Sequence, residues 1–258
     1  MNKAQISAAF AALVLFCGLY FGFDTKNNNQ KTIAHSQALQ VESTGSDVLL
    51  ADAKTHLTPA QTAEVAALEE QVTAAPDSLA KVTSLKSLSG YWYRTQQLAV
   101  AGVYAEQVAE IERSDSAWSV AGGTFFNGLV GSQDPTIRAF CTEHAVKAFE
   151  SAASLNPAKV EHRVNLALVY SESPPSDNPM QAVLMLRDLE AKHPDEASVY
   201  NALGRLAIKT GQWQRAIDRV EKSWTLNKNN PNTPCLLAKA YEGAGQMDKM
   251  ADFAKICK

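Results

Sequence analysis

Residues 197–230 read ASVYNALGRLAIKTGQWQRAIDRVEKSWTLNKNN, and residues 231–257 read PNTPCLLAKAYEGAGQMDKMADFAKIC. The two stretches align without a gap. Leu203, Gly204, Ala207, Gly211, Trp213, Ala216, Val220 and Ser223 in the first are answered by Leu237, Ala238, Tyr241, Gly245, Met247, Met250, Ala254 and Cys257 in the second, each after 34 residues. A small residue at the eighth place of each, Gly204 and Ala238, with a glycine between two helical runs, describes two helices that pack closely across a turn.

Carried towards the amino terminus, the same frame fits twice more. Asn165, Leu166, Ala167 and Tyr170 match the first helix of a repeat over 160–196, and Ala182, Leu186 and Leu189 match its second. Its three surplus residues fall at Pro174-Pro175-Ser176, in the turn, where added length costs little closure entropy. Trp118, Ala121, Gly122 and Phe125, with Ala145, Phe149 and Ala152, mark a repeat over 115–159. Its eleven surplus residues are expected in an inserted turn around Gly128 to Pro135, so both insertions should project from one edge. Pro157 and Pro194 stand where a helix must stop before the next repeat. A fainter hairpin occupies 82–114, with Leu85, Leu88, Tyr91 and Trp92 on one helix and Leu98, Ala101, Ala105 and Val108 on the other. Each hairpin carries apolar surface that only its neighbour can bury, which is the physical reason for the repetition. A bulky residue at Gly204 or Ala216 should overpack the contact between paired helices.

A 34-residue period of paired helices with these small residues resembles the tetratricopeptide repeat (TPR) family. The resemblance implies an all-α fold, a right-handed α-solenoid of helical hairpins, and a non-enzymatic scaffold that binds proteins or peptides in a concave groove. In that family the groove is lined by the second, fifth, ninth, twelfth and thirteenth residues of each repeat. Carried onto this chain, those places include Phe126, Glu161, Glu172, Asn201, Arg205, Lys209, Lys239 and Glu242. Asn201, Arg205 and Lys209 are four apart and share a helical face, with Lys239 on the next repeat. Such a cluster suits a carboxylate or an acidic peptide; the alternative is a solvated charged face. Ser119 and Gly123 stand where chaperone-binding members carry clamp residues, so a chaperone tail is not the expected ligand.

Ahead of the repeats, Ala4 to Phe23 is an uncharged stretch of about 30 Å as a helix. It predicts a transmembrane anchor over 4–23, in preference to a cleaved signal peptide, because no Ala-x-Ala-like site precedes Asp24. The expected location is a bacterial inner membrane, with the repeats outside the cytoplasm in an envelope complex. Residues 24–57 read as a flexible tether, rich in Asn, Gln, Ser, Thr and Lys, with isolated apolar runs such as Val48-Leu49-Leu50. Thr58-Pro59 opens a helix over 58–75 whose Val65, Leu68 and Val72 share a face. That helix covers the open end of the array or, alternatively, pairs two copies. The repeat over 231–258 has no polar helix after it, so Ile256 and Cys257 are expected at an open edge. Self-assembly into a homo-oligomer through that edge is the rival to groove binding.

The net charge of −3 gives no whole-chain attraction to nucleic acid. Of four cysteines, Cys17 lies in the apolar run, which leaves Cys141, Cys235 and Cys257. Three is odd, so at least one is expected to be a free thiol unless it pairs between chains. No glycine-rich phosphate loop, HExxH, GxSxG or CxxC occurs, so no catalytic residue and no cofactor is assigned. Cys141 and His144 share a helical face and come nearest to a metal pair, but two ligands are missing. A packed cysteine beside a surface histidine is the preferred reading, and a metal carrier or enzyme is the remaining rival.

Overall fold

Residues 45–257, described by the computed structural model, form α-helices joined by short turns, with no strand among them. The helices are α1 (Ser46–Thr55), α2 (Pro59–Thr73), α3 (Ser78–Arg94), α4 (Leu98–Glu112), α5 (Asp115–Gly131), α6 (Pro135–Leu155), α7 (Val160–Glu172), α8 (Gln181–Lys192), α9 (Ala197–Lys209), α10 (Trp213–Leu226), α11 (Asn232–Gly243) and α12 (Met247–Ala254). From α3 onward they pair into five hairpins, and each helix packs on the next. Their starts follow local chemistry. Thr58 accepts from the Gln61 backbone while the Gln61 side chain accepts from Thr58 N–H, with Pro59 in the first turn. Asp77, Ser114 and Asp134 cap α3, α5 and α6 in the same sense.

The turn between paired helices is the most faithful part of the repeat. Gly211 and Gly245 both adopt left-handed backbone, with φ of 69° and 72°. The following residue then donates back into the first helix, from Gln212 N–H to Ala207 C=O at 2.8 Å and from Gln246 N–H to Tyr241 C=O at 2.9 Å. The fainter hairpin makes the same turn with Gln96 at φ 64° and a Gln97 N–H to Trp92 C=O bond of 2.9 Å. Trp92, Ala207 and Tyr241 are therefore equivalent, which fixes the register of α3 against α9 and α11. Within a hairpin, a Cβ added at Gly204 would lie 2.3 Å from Cγ2 of the fully buried Val220, so the two helices touch where only hydrogen fits.

Four expectations need correction. The far end of the 24–57 tether is helical, as α1. Ala53 is buried, Leu49 and Leu50 pack on the first hairpin, and Lys54 pairs with Glu69 of α2. The run Val48-Leu49-Leu50 looked isolated, but Leu49, Leu50 and Ala53 form a helical stripe that packs on α4. The surplus residues of 115–159 do not form an inserted turn. They lengthen the helices, α5 and α6 having 17 and 21 residues where α9 and α10 have 13 and 14. Only the surplus over 174–176 remains in a loop, but the added turns of α5 and α6 lie at their connected ends, so both surpluses project from the turn edge of the hairpins.

The open edge expected at Ile256 and Cys257 also needs correction, while the odd cysteine count leaves one free thiol as expected. Cys235 in α11 is joined to Cys257, just beyond α12, with Cα atoms 4.7 Å apart, and Cys141 remains a buried thiol. The edge at Ile256 and Cys257 is therefore covalently tied down. Finally, the membrane location does not hold: among the described residues no helix is long and apolar enough to cross a membrane. The stretch 4–23, on which that reading rested, lies outside the described residues.

The helix expected over 58–75 is α2. Val65 is buried, and Leu68 and Val72 pack with Leu85, Leu88, Trp92 and Tyr104, so its apolar face is spent on the first hairpin.

Candidate protein-binding wall

The first helices of the hairpins, α3, α5, α7, α9 and α11, form the wall on which the groove residues fall. From α5 to α11 each packs on the next, whereas α3 and α5 are more loosely apposed and are bridged by a hydrogen bond between Asn127 and Tyr93. The predicted site residues divide along this wall. Lys209 of α9 donates to Glu172 of α7 at 2.9 Å and to the Ser171 carbonyl at 2.7 Å. The cation and anion thus satisfy each other across neighbouring repeats. Asn201 is buried, its amide donating to Thr233 Oγ1 at 2.8 Å across α9 and α11, so it does not join an open basic face. Arg205 is exposed and reaches back over α7 to α5, where its guanidinium lies 6.0 Å from the Phe126 ring. Glu161, Lys239 and Glu242 are exposed, and none forms an ion pair among the described residues.

Sequence reasoning missed the amino-terminal part of the wall. With α3 in register, Arg94 occupies the place of Lys209, and Asn127 and Glu172 hold that place on α5 and α7. Asn127 donates to the Tyr93 hydroxyl at 3.2 Å, and Glu172 takes Lys209, which leaves Arg94 without a carboxylate partner among the described residues. Between α3 and α5 lies a cleft of about 640 Å³. Its floor is Ala105 and Val108 of α4, its walls include Gly90 and Val120, and Arg94 stands at its rim. At the other end Lys86 is held by Glu112 at 2.5 Å. After Asp115, α5 carries no charge, and Val120 and Val130 are 63% and 47% exposed, beside Tyr93 at 44%. The wall is thus uncharged along α5 beyond Asp115 and exposes Val120 and Val130, with the guanidinium of Arg94 to one side and that of Arg205 to the other. The turn Thr95-Gln96-Gln97, read against Thr210-Gly211-Gln212, is the sequence signal that could have found Arg94.

The second helices hold a different kind of polar cluster. Glu106 of α4 is buried and accepts from Lys147 Nζ at 2.6 Å, while His144 Nδ1 lies 2.6 Å from its other oxygen. Burial alone would raise the Glu106 carboxyl, but the hydrogen bonds from His144 and Lys147 outweigh it and hold the group below its ordinary range. His144 is also packed between the rings of Phe125 and Phe140. Cys141 is fully buried, and burial pushes its thiol up to about 12. Cys141 and His144 therefore do not face one open position, and no group of three metal-ligating side chains occurs among the described residues.

Five hairpins, a shared 34-residue frame and a recurring left-handed turn make this chain a TPR-like helical-repeat protein. Among solved structures it is similar to MamA from Desulfovibrio magneticus, at 17% identity over 71% of this chain and 95% of that one, with a TM-score of 0.41. It is also similar to a tetratricopeptide repeat protein from Parabacteroides merdae, at 13% identity over 85% and 76%, with a TM-score of 0.49. BtubC from P. vanneervenii shares 15% identity over 74% and 87%, with a TM-score of 0.44. No protein-family model matches the chain, and no curated protein matches it.

Proposed function

We propose that this chain is a non-enzymatic scaffold that binds protein or peptide partners along its first-helix wall. The observation that carries the reading is the uncharged face of α5, which opens Val120 and Val130 to solvent and is flanked by exposed cations that no carboxylate among the described residues occupies. An apolar centre with a polar rim is the composition of a recognition surface rather than of a solvated helix face. Arg205 and Lys239 are the exposed cations carried over from the sequence pattern, and Lys209 acts with Glu172 to hold two repeats together. Charge reversal at Arg205 and Lys239 tests this. Both side chains are exposed, so the double change to Glu should leave the melting temperature unchanged and weaken partners identified by crosslinking by about tenfold or more. Unchanged affinity for every partner would remove these residues from the site.

A further inference from the structure

We infer that the cleft between α3 and α5 receives an apolar side chain of an acidic amphipathic helix, seated along α5 with its carboxylates on Arg94 and Arg205. The inference rests on the scaffold reading and names the partner's chemistry. The gap itself is the first observation. Every later pair of first helices packs closely, whereas α3 and α5 meet through the Asn127–Tyr93 hydrogen bond, and beside that bridge a cleft of about 640 Å³ opens above Ala105 and Val108. That volume falls within the range of clefts that take a ligand group, and its floor is aliphatic. Charge supplies the second observation. Lys86 and Glu112 neutralise each other at one end, so the unanswered charge at the cleft is the Arg94 guanidinium. Tyr93 accepts from Asn127 and keeps its own O–H to donate, so both rim groups ask for an acceptor. Across α5, Arg205 presents a second guanidinium over Phe126, and no acidic side chain lies on α5 between them. An uncharged track that exposes Val120 and Val130, with a cation on each side, matches a helix with an apolar face and acidic flanks, the helix-in-groove mode of recognition.

The test uses the full chain and two panels of 14-residue helical peptides with Leu, Ile or Phe at i, i+4 and i+7, flanked by Glu in one panel and by Lys in the other. Fluorescence anisotropy should show the Glu panel binding and the Lys panel not, with affinity falling as salt rises. Arg94→Gln and Arg205→Gln should each weaken the Glu peptides about tenfold. Gly90→Leu fills the cleft from a helical position where an added Cβ meets only the Arg94 guanidinium, at 3.5 Å, and it raises helix propensity. It should abolish binding while the melting temperature holds or rises. Leu184→Gln, on an exposed second-helix position, should change nothing. Equal binding of the Glu and Lys panels, no binding by either, or full binding by Gly90→Leu would overturn the inference. Partners of another chemistry would still crosslink to α5 in those cases, so the scaffold reading would survive its failure.

Discussion

At Gly204 the distance between two helices is decided by one missing methyl group. Gly204→Leu drives a side chain into Val220 and should cost about 1–3 kcal/mol in chemical denaturation, more than the gain from a better helix former. Gln96 shows the opposite imbalance, because a residue with a Cβ holds the left-handed position that glycine takes at 211 and 245. Gln96→Gly should therefore stabilise the protein by about 0.5–1 kcal/mol, a gain readable as a higher denaturation midpoint. Glu106 makes stability depend on pH. Its folded carboxyl titrates below its unfolded value, so its contribution is complete above the ordinary glutamate range, about 4.3, and is lost as pH falls through the lower folded value. Glu106→Gln should be less stable than wild type by about 1–3 kcal/mol at pH 7, and the difference should shrink in denaturation series carried towards pH 3.

Among the elements, α12 buries no residue and is tied down by a covalent link. Its main anchor is Phe253, stacked on Tyr241 and edge-on to Trp224. The Cys235–Cys257 bond closes a loop of 22 residues around this helix, a constraint of about 3 kcal/mol in the chain-entropy account. Reduction should make the amides of 247–254 exchange rapidly with deuterium while those of α9 and α10 keep their protection. Equal protection with and without reductant would mean that packing alone holds α12. The opposite end needs no such bond, because α1 and α2 bury Ala53, Val65 and Leu68 on the first hairpin.

For the whole molecule, the sequence was legible wherever structure follows from local periodicity. The hairpins α5–α6, α7–α8, α9–α10 and α11–α12 follow from helical spacing and small residues that recur along the chain. What it hid depends on contacts between distant positions. The tie from Cys235 to Cys257 requires α12 to fold back on α11, and the burial of Asn201 requires Thr233 on the next repeat. The pairing of Lys209 with Glu172 likewise turns a supposed ligand contact into an inter-repeat bond. The cleft was hidden for another reason: it comes from the looser packing of α3 against α5, and no residue type marks such a gap. Arg94 was missed because Gln96 disguises a glycine turn.

The central claim is that partners are taken on the first-helix wall and not on the second-helix face. A photo-crosslinking residue placed in the full chain at Val120, and separately at Leu184, tests it most directly, since the two sites are similarly exposed at 63% and 57% and lie on α5 and α8. The account predicts discrete crosslinked partners from position 120, lost when Arg94 and Arg205 are both changed to Gln, and none from position 184. Equal capture from both positions, or capture from 184 alone, would contradict it.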